Sequence, residues 1–166
     1  MNRFPPYTYI PGKNPHPISD PAGHMHGDSN EPGMDPRSLF QRALELFNHG
    51  YYWEAHEAWE HVWIEYGKQG PQADFIKGLI KLSACGVKCL EGNRTGAERH
   101  LRRAVELLDL SQSVKDSIDS FGVSIERLRQ QIATLETNLP IQDSELDPGP
   151  VLPILGTIPV SGRSNN

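Results

Sequence analysis

Proline divides this chain more sharply than any other residue. Of its fourteen prolines, eight fall in residues 1–36 and five in residues 140–159, leaving Pro71 alone in everything between. Proline removes a backbone donor and pushes its predecessor out of the helical region, so both ends should be extended and turn-rich. The middle is free to be helical. A length of 166 residues suits one ordinary domain and excludes a multidomain reading. The expected organisation is therefore a Pro/Gly/His-rich N-terminal tail over 1–35, a helical domain over 36–138 and a Pro-rich C-terminal tail over 139–166. Residues 7–27 carry aromatics and histidines and are suited to docking on the core.

Inside those limits the apolar residues recur at helical spacing. Asp35-Pro36 opens the first pattern, with Asp35 as N-cap and proline at the first helical position, and Leu39, Phe40, Ala43, Leu44 and Phe47 follow on one face. Gly50 ends it in a left-handed cap. Further helices are expected at about 51–66, 72–91, 94–110 and 124–137, separated by Gly67, Gly70-Pro71 and Gly92-Asn93, the last opened by Ser124. Nothing in this stretch alternates like a strand, so the expected fold is all-α.

A shift of 42 residues lays Gly50 on Gly92, Ala55 on Ala97, Trp59 on Leu101 and Val62 on Ala104. Each unit reads as helix, glycine turn, helix. The first also resembles a tetratricopeptide hairpin, with small alanines where two helices approach and aromatics around them. The expectation is a compact bundle of about five helices, two such hairpins plus a closing helix, because neither hairpin can cover its apolar face alone.

Charge and cysteine content narrow the partners. Acidic residues outnumber basic ones, 21 to 16, which argues against nucleic acid or an anionic membrane as a partner. There is no run of about 18 apolar residues and no apolar signal core after Met1, so a soluble, cytoplasmic protein is expected. Cys85 and Cys89 are four apart in a helical pattern, which is neither a disulfide framework nor a metal knuckle, and read as small buried side chains.

The chemistry is densest in residues 51–63, YYWEAHEAWEHVW. At about 100° per residue, Tyr52, Ala55, Ala58, Trp59, Val62 and Trp63 gather on one arc, with His56 and Glu60 flanking it. Glu54, Glu57, His61 and Glu65 fall on the wetter side. A histidine and a glutamate four apart can hydrogen-bond and serve as an acid/base couple or as two metal ligands, and Glu57 and His61 repeat the spacing. Zincin spacing is absent, since the second histidine comes at spacing five. Trp59 and Trp63 read as core, while Trp53 stands on the His/Glu side, placed to cover a site. Lys77, Lys81 and Lys88 form a stripe on the third helix, read as a solvated face or as a partner for those carboxylates. Arg94, Arg99, His100, Arg102 and Arg103 make a local basic cluster. His24 and His26, in a Gly-flanked segment, could complete a zinc or nickel site by folding over the core.

The residues Phe47-Asn48-x-Gly50-x-Tyr52-x-Glu54-Ala55-His56-Glu57-x-x-Glu60-x-x-Trp63, then Phe75-Ile76-Lys77-Gly78-Leu79-Ile80-Lys81-Leu82 and Gly92-Asn93-x-x-Gly96-Ala97, resemble the DUF309 family of small helical proteins over about 40–137. The resemblance implies a compact helical bundle and no particular activity, and carries His56, Glu57, Glu60, Trp63 and Gly78 as motif positions. The chain departs at Lys77 and Lys81, where the resemblance implies glutamine. Two lysines there would repel a divalent cation.

Three functions follow as expectations. The first is a non-enzymatic module that binds a small molecule or peptide in a groove lined by Trp53, His56, Glu57, Glu60, Trp63, Lys77 and Lys81. The second is a metal-dependent hydrolase-like enzyme in which His56 and Glu60 hold a divalent metal, helped by Glu57, His24 or His26. A structural subunit of a homo-oligomer is the third.

Overall fold

Asp35 and Pro36 open the first helix as their chemistry requires: the Asp35 carboxylate accepts from the Ser38 amide at 3.0 Å and from its hydroxyl at 2.7 Å. These bonds also hold Asp35 below the usual carboxylate range. The computed structural model describes residues 4–27, 34–112 and 118–160. Among them are α1 (Pro36–Asn48), α2 (Tyr52–Glu65), α3 (Pro71–Glu91), α4 (Arg94–Gln112) and α5 (Ile125–Thr137). One isolated bridge, Val123 to Val160, is the nearest thing to a sheet among these residues. The all-α expectation holds, and the helix limits fall within two residues of those read from the sequence.

The helices pair in chain order, α1 with α2, α2 with α3 and α3 with α4, while α5 closes against α4. Residues 42 apart play like parts: Gly50 and Gly92 both have positive φ, and Ala55 and Ala97 are both fully buried. The core gathers Phe40, Phe47, Tyr52, Trp59, Phe75 and Leu108, with Phe40 stacked on Phe121 at 4.1 Å. Close approach is set by glycine on α3. A β-carbon at Gly86 would meet the Tyr52 ring at 2.5 Å, and one at Gly78 would meet Leu108 at 3.0 Å.

Both proline-rich flanks lie against this core. Residues 4–27 run over the start of α2: Phe4 stacks on Tyr51, the Tyr51 hydroxyl donates to the Pro5 carbonyl at 3.0 Å, and Ile10 and Thr8 are buried. On the other side the Leu155 amide donates to the Tyr52 hydroxyl at 2.9 Å and the Ile158 amide to Asn48 Oδ1 at 2.8 Å. Leu139, Leu155 and Ile158 join the core. Proline keeps these segments extended, and their apolar residues still find burial.

Candidate functional site

Helix α2 carries acidic residues on two flanks, and the structure treats them in opposite ways. Glu54 is buried, 5% exposed. Its carboxylate accepts from the Thr8 hydroxyl at 2.6 Å and the Tyr9 amide at 3.1 Å, and meets His24 Nε2 at 3.3 Å. The helical wheel put Glu54 on the wet side, which is incorrect: the wheel counts helix neighbours, and here the cover comes from a non-helical segment forty-odd residues away in sequence. The signal that could have found it is the aromatic and histidine content of residues 7–27. His24 does fold over the core, but onto Glu54 and beneath the Tyr7 ring. His26 is spent on the Ile18 carbonyl at 2.9 Å. Neither belongs to the cluster around His56.

On the other flank His56, Glu57 and Glu60 are half-buried and each offers a ligand atom, all within 4.8 Å of one another. The expected His56–Glu60 hydrogen bond is not formed. His56 Nδ1 lies 3.5 Å from Glu57 Oε1 and is a buried atom without a hydrogen-bond partner. Such an orphan costs about 1–3 kcal/mol. His61, the second histidine of the helix, is exposed. Trp53 packs between Tyr9 and His16, at 5.4 and 5.7 Å, and so joins the N-terminal segment to this flank.

Of the lysine stripe of α3, Lys77 reaches the α2 flank that carries these carboxylates. Lys77 Nζ lies over the Trp63 ring at 4.1 Å. Burial and the neighbouring Lys81 push the Lys77 ammonium below its ordinary pKa, while the Glu60 carboxylate works in the opposite sense. Lys81, Ala84 and Lys88 continue the stripe, all half-buried, and Lys88 pairs with Glu91 at 3.0 Å. From α4, His100 faces the same stripe. Burial holds its imidazole below the ordinary value, with Lys81, Lys88 and His56 adding to the effect. Sequence reasoning left His100 in the basic cluster of α4; only the α3–α4 pairing brings it to the seam.

The two thiols of α3 and two serines of α3 and α4 are buried in the core. Cys85 and Cys89 are free thiols, fully buried and in contact, and the Cys85 thiol, hydrogen-bonded to Cys89 and buried, has its pKa raised. Ser83 and Ser111 turn their hydroxyls onto the carbonyls of Leu79 and Leu107, at 3.0 and 2.9 Å. A cleft of about 470 Å³ opens elsewhere, between α4 and α5, where Asp109 and Arg129 pair across it at 2.6 Å.

Residues 40–100 match the family model described as "Domain of unknown function (DUF309)". The match runs from α1 to His100 in α4, short of the 40–137 span of the resemblance, and it encloses every seam residue named above. No curated protein matches the chain.

Proposed function

We propose that this chain, whose residues 40–100 match the DUF309 family model, is a non-enzymatic binding module that takes a small ligand or a peptide end in the seam between α2 and α3. His56, Glu57 and Glu60 line one side, Lys77 and Lys81 the other, with Trp53 and Trp63 at the two ends of the α2 flank. The observation that carries this reading is the unmet hydrogen-bonding capacity of His56 in a half-buried polar cluster. A ligand that supplies the missing partner recovers that cost, which a fully satisfied surface could not offer. The inward-turned serines and buried thiols support a binding role over nucleophilic catalysis. Chemical-shift mapping of the full chain with free amino acids and short peptides tests it. Saturable shifts at His56, Glu57 and Glu60, abolished by His56→Ala, support the reading; shifts confined to the α4–α5 cleft overturn it.

A metal-dependent, hydrolase-like role is the second reading, favoured by the three ligand atoms lying close enough for one cation after small rotamer changes. Lys77 and Lys81 oppose it by charge. Elemental analysis of the purified chain separates the two: stoichiometric zinc, nickel or manganese lost on His56→Ala establishes the second and removes the first.

A further inference from the structure

Helix contacts fix which residues of α2 and α4 stand beside each level of α3. Against α2, Gly86 abuts the Tyr52 ring and Lys77 lies over Trp63. The two helices are thus antiparallel, and His56, one turn beyond Tyr52, stands beside Leu82 and Lys81. Against α4, a β-carbon at Gly96 would meet Lys88 Cδ at 3.0 Å, and Gly78 abuts Leu108. His100, one turn beyond Gly96, therefore stands beside Ala84. Two imidazoles from two helices flank α3 at nearly one level, and the residue between them is an alanine, whose short side chain leaves the floor low. Lys81 and Lys88 bracket that floor along the helix axis.

We infer that the ligand of the seam carries an oxyanion, a carboxylate or a phosphate group, seated over Ala84 between His56, Lys81 and His100, a proposal that rests on reading the seam as a binding site and narrows its ligand to one chemical class. The neighbouring charges are largely engaged. Lys88 pairs with Glu91 and Arg103 with Glu106, at 3.0 and 2.9 Å, and Lys77 is held over Trp63. Among the described residues, Lys81 and His100 have no hydrogen bond or ion pair, and His56 Nδ1 has no hydrogen-bond partner. Three donors on three helices thus converge with spare capacity. The groups facing the floor are His56, Glu57 and Glu60 from α2, Lys77, Lys81 and Lys88 from α3, and Arg99, His100 and Arg103 from α4. Glu57 and Glu60 each bring a carboxylate oxygen within 4.8 Å of a His56 ring nitrogen, and Lys77 lies near enough to Glu60 for its ammonium to be favoured by that charge. Burial first, and then the charges of Lys81, Lys88 and His56, hold the His100 imidazole below its ordinary value, and an anion among these groups offsets both.

The test uses the full chain with labelled histidine rings, titrated with inorganic phosphate and separately with acetate at constant ionic strength. Saturable shifts of the His56 and His100 rings are expected, with a rise in the His100 pKa. Lys81→Gln should weaken binding at least ten-fold, Lys81→Arg should largely restore it, and the exposed Arg102→Gln should change nothing. Saturation by phosphate alone identifies a phosphate site; saturation by acetate as well identifies a general carboxylate site. Non-saturable shifts, or binding that follows Arg102 and ignores Lys81, overturn the inference. A parallel titration with manganese(II) separates the failures. Broadening at His56, Glu57 and Glu60 without oxyanion binding removes the oxyanion and leaves a binding seam, whereas silence from all three probes removes both.

Discussion

Glu54 and Glu57 stand less than one turn apart on the same helix, yet one is sealed and the other is open. Around Glu54 a hydroxyl, an amide and an imidazole converge, and the carboxylate is nearly inaccessible. Among the described residues Glu57 has one ion-pair contact, with an imidazole whose own Nδ1 lacks a hydrogen bond. The first arrangement spends its polar capacity on holding a segment of chain in place. The second keeps that capacity unspent, and this is what separates a structural carboxylate from one available to a partner.

Four measurements would break or sharpen that contrast. Glu54→Ala strips an acceptor from the Thr8 hydroxyl, the Tyr9 amide and His24 at once and should lower stability by about 3 kcal/mol in urea unfolding. It should also open residues 4–27 to proteolysis; a loss below about 1 kcal/mol would mean that the seal is not structural. Tyr52→Phe removes a neutral anchor and leaves the Leu155 amide buried without an acceptor, a loss of about 1–2 kcal/mol by the same assay. On the open flank, Glu57→Gln should stay within about 0.5 kcal/mol of the parent chain, as expected of a side chain that secures nothing. A cost equal to that of Glu54→Ala would erase the distinction. The smallest effect is a pH dependence. Because the folded His100 imidazole is held below its ordinary value of 6.5, its contribution to stability is present above pH 6.5 and is lost as the pH falls through the folded value. Stability should therefore decline over that acidic window, and Lys81→Gln should shrink the decline by raising the His100 pKa, both readable by histidine NMR and parallel unfolding curves.

The helices were legible because their signals are local. Asp35, Ser124, Gly50 and Gly92 act within a few residues, and each does what its chemistry suggests. The His56, Glu57 and Glu60 cluster was legible for the same reason, since a single helix holds all three. Glu54 was misplaced because its partners Thr8, Tyr9 and His24 arrive from a segment without helical periodicity, and no wheel includes them. His100 was visible as a residue but not as a neighbour of His56, because that proximity depends on how two glycines set the spacing of three helices. Leu155 and Ile158 were hidden among prolines, where extended backbone gave no sign that their side chains turn inward.

Tyr52 and Glu54 occupy one turn of α2, and through them that turn grips the protein's leading and trailing segments together. Unwinding it would release both flanks in one step, so neither can fray on its own schedule. Amide hydrogens on both sides of this clasp, near Tyr9 and near Leu155, should therefore exchange with a common opening free energy, as a single cooperative unit closed at its two extremities.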